Sequence, residues 1–281
     1  MYDLRDRYCV VTGANRGIGE QVAIALARAG ATVIVACRHD ADLTAAKLRR
    51  QGWRADHVTL DLARRDAIHA CANTILDRHP AIHVLINNAG VFSAHRANSV
   101  DGDELHLAVH FLGPFLLTSL LLPALQRGAP SRIVNVVDET YADTSFDLED
   151  PQSVRNWDPI IARDRSKLAM VSYTLELSRR LIGTRVTANC VHPGLALTHL
   201  HHDQPLWRRV HNVTLGRGKF ETTASAASHI VHLAADPVFE GVSGRYYHLD
   251  REELATDTAR DPQLADHLWR FAAARVGLHT Q

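Results

Sequence analysis

Tyr8-Cys9-Val10-Val11-Thr12-Gly13-Ala14-Asn15-Arg16-Gly17-Ile18-Gly19 is the stretch whose reading decides the fold. A short apolar run ends in three glycines, after which Val22, Ala25, Leu26 and Ala29 recur at helical spacing. The order is strand, glycine turn, helix. Glycines let the backbone turn tightly and approach a pyrophosphate, whose charge then meets the free N–H groups of a helix N-terminus. Glycine turns precede helices in many α/β proteins, so the context decides. Thr32-Val33-Ile34-Val35-Ala36 follows as a second strand and completes the βαβ unit that dinucleotide binding requires.

Working outward, Arg54 to Leu60 reads as a third strand ending at Asp61-Leu62, and Ile82 to Ile86 as a fourth ending at Asn87-Asn88-Ala89-Gly90. Asp101 to Gln126 reads as a long apolar helix, Arg132 to Val137 as the fifth strand, and Arg163 through Tyr173 and Leu177 as a helix. Ala224 to Ala235 and Pro262 to Val276 are further helices, the latter with Leu264, Leu268 and Phe271 inward, and Arg245 to His248 is a last strand. Strands alternating with helices predict a Rossmann-type, doubly wound parallel sheet of about seven strands with helices on both faces. The 281 residues are 46% hydrophobic and 22% charged, enough to bury one core, so residues 1–281 read as a single domain.

Composition narrows the partners. Lys+Arg and Asp+Glu are both 31, with no long run of one sign, which leaves no electrostatic footprint for nucleic acid or an anionic membrane. A small-molecule substrate is expected, and a homo-oligomer is left open. Cys9, Cys37, Cys71 and Cys190 have neither metal-ligand nor paired spacing and read as reduced core thiols; no metal site is expected. The first residues lack the apolar run of a signal peptide. The most apolar stretch, Leu116 to Leu125, is too short to span a bilayer and contains Pro123. The expectation is a soluble cytoplasmic protein with no membrane contact.

Thr12-Gly13-x-x-x-Gly17-x-Gly19, Asp61-Leu62 and Asn87-Asn88-Ala89-Gly90, at these spacings, resemble the short-chain dehydrogenase/reductase family. Phe115-Leu116-Leu117-Thr118, Arg132 to Val136, Ser166-Lys167-Leu168-Ala169, Val191-His192-Pro193-Gly194 and Gly244-Arg245-Tyr246-Tyr247 are similar to its retinol-dehydrogenase-like branch, over nearly the whole chain. That branch includes membrane-bound reductases of retinal and soluble bacterial relatives, and without an anchor this chain resembles the latter. The resemblance implies a nicotinamide cofactor held by Gly13, Asn15, Arg16, Gly17, Ile18 and Gly19, with Asp61 and Leu62 at the adenine and Asn88, Ala89 and Gly90 along the cofactor. It adds Lys167 at the ribose, and Pro193, Gly194 and Thr198 at the nicotinamide. Residues 195–220 match the segment that relatives use as a substrate lid. After the second strand comes Cys37-Arg38-His39, with no acid until Asp40. Arg38 with Arg16 suits a 2′-phosphate, because guanidinium forks bind phosphate oxygens in pairs, so NADP(H) is favoured over NAD. The competing reading of Arg38 is a solvated arginine at a strand end.

The catalytic pattern is broken. Family members use Asn, Ser, Tyr and Lys, with Tyr and Lys at i and i+4 on one helix face. Here the lysine position is Lys167, one of only three lysines beside Lys47 and Lys219, but the tyrosine position is Arg163, the serine position Asp138 and the asparagine position His110. Arginine stays protonated, so Arg163 can bind an oxyanion but is a poor proton donor. Asp138 repels a developing alkoxide unless it pairs with Arg163 or Lys167, or is protonated by burial. The proton is expected from His110, Tyr141, water or a hydroxyl of the substrate itself; the competing readings of the two side chains are a hydrogen-bonded structural histidine and a packed loop aromatic.

Three readings follow. The first is an atypical NADPH-dependent reductase of a ketone or aldehyde on a small organic substrate, such as a secondary metabolite. The second is a non-redox enzyme performing cyclisation, dehydration or isomerisation with Asp138 and Arg163. The third is an NADP(H)-binding pseudoenzyme or sensor.

Overall fold

The computed structural model describes residues 2–196 and 221–278. Among them run, in chain order, β1 (Tyr8–Thr12), α1 (Gly17–Arg28), β2 (Thr32–Cys37), α2 (Ala41–Arg50), β3 (Ala55–Thr59), α3 (Arg65–Arg78) and β4 (Val84–Asn87). Then come α4 (Leu105–Arg127), β5 (Ser131–Val136), a 3₁₀ turn (Glu139–Asp143), α5 (Pro159–Arg180) and β6 (Val186–His192). Last are α6 (Thr223–Ala235), β7 (Tyr246–His248), β8 (Arg251–Glu253), α7 (Asp257–Arg260) and α8 (Pro262–Val276).

The sheet order is β3-β2-β1-β4-β5-β6-β7-β8. The first seven strands pair in parallel, as the alternating pattern predicts. The additional β8 pairs antiparallel with β7 at the edge. Successive strand residues feed opposite faces. Val10, Ile34, Ala36 and Leu85 join the core under α3, α4, α5 and α8, whereas Cys9, Val11, Val33, Val35 and Ile86 join the core under α1, α2 and α6. Because helices cover both faces, the inner strands β1, β2 and β4 read as apolar runs rather than alternating ones. All four cysteines are buried and unpaired. Burial pushes each of these thiols up to about 12, so they are inert packing residues.

Two helices bear on the site. α5 starts one turn earlier than the sequence suggests, with Pro159 at its first position and the Asp158 carboxylate accepting from the Ile160 and Ile161 amides. A capping acid followed by proline is a strong helix start. Tyr173 on this helix is fully buried, in ring contact with Phe111, Phe115 and Trp269, which ties α5 to α4 and α8. α4 contains one turn of π-helix, Ala108–Leu112, between its α-helical parts.

α4 corrects an expectation. Pro123 sits inside the helix rather than ending it, and the continuous segment Leu105–Arg127 has 23 residues and a mean hydropathy of 1.8. By length and composition it is apolar enough to cross a membrane, although 78% of its most apolar window is buried within the protein. The argument that no stretch is long enough to span a bilayer therefore fails.

Candidate active site

The glycine turn lies at the C-terminal end of β1. Gly13 and Gly17 both have positive φ, 66° and 62°, a backbone region that residues with a Cβ rarely adopt. A Cβ on Gly19 would lie 2.3 Å from the Gly13 carbonyl oxygen and 2.5 Å from Asn88 Nδ2. α1 can enter this closely only because position 19 is glycine. Arg16 is the N-cap residue of α1, and no side chain caps the helix. Unlike α5 and α6, which Asp158 and Thr222 cap, α1 leaves its first amides to a ligand, as a pyrophosphate site requires. Arg16 and Arg38 are exposed, and among the described residues neither has an ion-pair partner. The residues present therefore fit a dinucleotide.

Asn88 steadies this turn: its Nδ2 donates to the Thr12 carbonyl at 2.9 Å, while the Asn88 and Ala89 amides both donate to Thr12 Oγ1 at 3.0 Å. Asp61 Oδ1 accepts from the Ala63 amide, and Leu62 is buried in the core. A chain of buried amides that the sequence reading missed continues inward. Asn87 Nδ2 donates to Asn135 Oδ1 at 2.8 Å, and Asn135 Nδ2 donates to Thr174 Oγ1 at 2.8 Å. The signal was present: asparagines inside two apolar strands must find buried partners.

At the end of β5, Asp138 Oδ2 lies 2.5 Å from Arg163 Nη2. Arg163 Nη1 donates to Asp164 Oδ1 at 2.8 Å and to Thr140 Oγ1 at 3.2 Å, and Thr140 Oγ1 donates to Asp164 at 2.7 Å. Burial opposes the Arg163 charge, but the two carboxylates outweigh it and raise its pKa. Sequence reasoning offered Arg163 as one of two partners for Asp138 and missed Asp164, the chain neighbour of Arg163, because i and i+1 do not face each other on a helix. The long guanidinium arm spans the gap. One turn on, Lys167 is 7% exposed and donates from Nζ to the Val136 carbonyl at 3.0 Å. Burial lowers its pKa to about 8, with Asp138 opposing the shift and Arg163 adding to it.

The two expected proton donors are both buried. His110 is buried within the π turn. Its Nε2 accepts from the Val91 amide at 3.0 Å, which leaves Nδ1 as the N–H donor to Ser166 Oγ at 2.8 Å, and Ser166 in turn donates to the Arg163 carbonyl. Burial, then the Lys167 and His106 charges, hold its pKa well below the ordinary histidine range. His110 is a neutral structural residue with both nitrogens engaged. Tyr141 is 2% exposed, packs edge-on to Tyr246 at 5.2 Å and is pushed up to about 12 by burial. It is a core aromatic rather than an acid near neutral pH.

Pro193 and Gly194 follow β6, with Gly194 at φ 86°, and the Glu221 amide donates to the Leu195 carbonyl at 2.8 Å. Thr198 and nearly all of the expected lid, residues 197–220, lie outside the described residues.

Comparison with known proteins agrees with this geometry. The short chain dehydrogenase family model matches residues 7–141. Retinol dehydrogenase 14 of Mus musculus is 38% identical, covering 96% of this chain and 85% of the relative. A solved structure from Mycobacterium paratuberculosis superposes with a TM-score of 0.80 at 28% identity, covering 100% and 97% of the two chains. A Beutenbergia cavernae protein assigned as an NAD(P)-dependent gluconate 5-dehydrogenase, with NADP bound, gives a TM-score of 0.70 at 25% identity over 88% and 96%. The chain belongs to the short-chain dehydrogenase family. Within that family it is an oxidoreductase similar to the retinol dehydrogenases. The expected cytoplasmic location is not upheld, since α4 is by length and composition apolar enough to cross a membrane.

Proposed function

We propose that this protein reduces a ketone or aldehyde on a small organic substrate with NADPH, using Lys167 as the proton donor in place of a tyrosine. The observation that carries the reading is the Lys167 ammonium, buried at the end of β5 with its pKa lowered to about 8. Of the candidate donors Lys167, His110 and Tyr141, it alone exchanges a proton near neutral pH. Arg163 remains a guanidinium under its two carboxylates and stabilises developing negative charge without giving up its proton. Bound NADPH supplies the hydride. Preference for the phosphorylated cofactor rests on Arg16 and Arg38, exposed and without an ion-pair partner among the described residues, and on the NADP found in the Beutenbergia cavernae relative.

NADPH consumption over a panel of ketones and aldehydes tests the activity. Turnover should hold steady below pH 8 and fall about tenfold per pH unit above it as the ammonium is lost. Lys167→Met should abolish that dependence along with most of the rate. Undiminished turnover in Lys167→Met together with Arg163→Met would sink the assigned roles. Arg38→Ala should weaken NADPH by about tenfold to a hundredfold and leave NADH unchanged, the loss expected for one charge-assisted phosphate contact.

A further inference from the structure

The ends of β5, β6 and β7 bring Glu139, His192 and His248 together, with one ligand-type atom from each within 4.8 Å of the others. We propose that these three side chains form a binding site for a single divalent transition-metal ion of the zinc class. His192 and His248 are register partners on adjacent parallel strands, so both side chains leave the same face of the sheet. Their rings lie 5.0 Å apart. Glu139 opens the 3₁₀ turn after β5 and supplies the carboxylate from the third strand. Two imidazoles and one carboxylate are a ligand set that zinc and ferrous iron take while keeping a position open for water or substrate. Donors around a tetrahedral zinc stand about 3.4 Å apart, so small side-chain rotations close the observed cluster.

The surroundings suit a cation. His192 is 1% exposed, and its buried Nδ1 has no hydrogen-bond partner among the described residues. A ring nitrogen left unpaired in the interior is uncommon and calls for a partner. Burial lowers the His192 pKa to about 4, so the ring is neutral, the form a metal requires. A hydrogen bond with the Val137 backbone orients that ring, and Glu253 stands 3.5 Å from His248 Nδ1, the outer-layer contacts that commonly position metal-bound histidines. Asp138 acts on His192 with a charge that favours a cation, and Arg163, which opposes it, is paired with Asp138 and Asp164.

Protein stripped with a chelator is titrated with Zn²⁺ by calorimetry and with Co²⁺ by visible absorption. One equivalent should bind, with the intense ligand-field bands of four- or five-coordinate Co²⁺. The chain has 18 histidines, so weak surface binding must be separated from the site. His248→Ala and Glu139→Gln, at partly exposed positions, should each lower affinity at least tenfold and together remove the bands, with circular dichroism verifying the fold. Should the double variant unfold, Glu139→Gln alone decides by the same affinity criterion. Absence of saturable one-equivalent binding, or binding unchanged in these variants, overturns the proposal.

Discussion

Lys167→Met should change how stability depends on pH, by an amount the burial of Lys167 fixes. In the unfolded chain this amine holds its proton up to its ordinary pKa of 10.5, whereas in the folded protein it gives it up at about 8. Between those values the unfolded state binds more protons, so folding stability rises with pH across the window and is flat below it. At about 1.4 kcal/mol per pKa unit, this one group makes the wild type about 3 kcal/mol more stable at pH 10.5 than at pH 8. Methionine keeps much of the aliphatic stem and removes the titration. It also loses the bond to the Val136 carbonyl, a constant offset of about 1 kcal/mol. Other groups titrate equally in both proteins and cancel in the difference. Urea unfolding of the pair at half-unit intervals from pH 7 to 10.5 should therefore show the wild type gaining on the variant by about 3 kcal/mol. Parallel stability curves would refute the claim that Lys167 is charged at a cost in the folded state, and with it the basis for its role as an acid.

Three other outcomes follow from the same geometry. Asp138→Asn leaves Arg163 with the Asp164 carboxylate and the Thr140 hydroxyl; because Asp138 is partly exposed and the second carboxylate stays, the loss should be about 2 kcal/mol rather than the full cost of an orphaned buried charge, read by chemical denaturation. Gly19→Ala forces a Cβ against the Gly13 carbonyl and Asn88, so NADPH affinity measured by fluorescence titration should fall more than tenfold in a protein that still folds. His110→Ala strands the Val91 amide and takes one donor from the Ser166 hydroxyl, which keeps its bond to the Arg163 carbonyl, at about 1–3 kcal/mol in denaturation. The pH profile of its remaining activity near neutrality should match the wild type, since the imidazole is already neutral there.

The nucleotide half was legible in the sequence because its chemistry is local. Gly13, Gly17 and Gly19 fall within one turn, and each apolar strand run declares a two-sided sheet. The edge strand Arg251–Glu253 was not legible, because three charged residues carry neither apolar content nor alternation; only the partner β7 defines it. The substitution of the catalytic positions was visible residue by residue, yet the consequences were not. Whether His110 donates protons or holds a loop depends on what meets each ring nitrogen, and Val91 and Ser166 are 19 and 56 residues away in the chain. The same distance problem hid His192 and His248, whose nearness exists only through parallel strand register.

The π turn at Ala108–Leu112 fixes a phase relation along α4. Such a turn holds one residue more than the α-helix around it. Removing a single residue there would leave a smooth helix but rotate one half against the other by about 100°, the angle per residue in an α-helix. The N-terminal half carries His106 to the Ser93 amide and the Trp157 ring, and the C-terminal half carries Thr118 to Asn87 and Phe115 to Tyr173. Both sets cannot survive that rotation. A one-residue deletion between 108 and 112 should therefore damage the protein far more than a deletion in an exposed loop, although it makes the helix more regular.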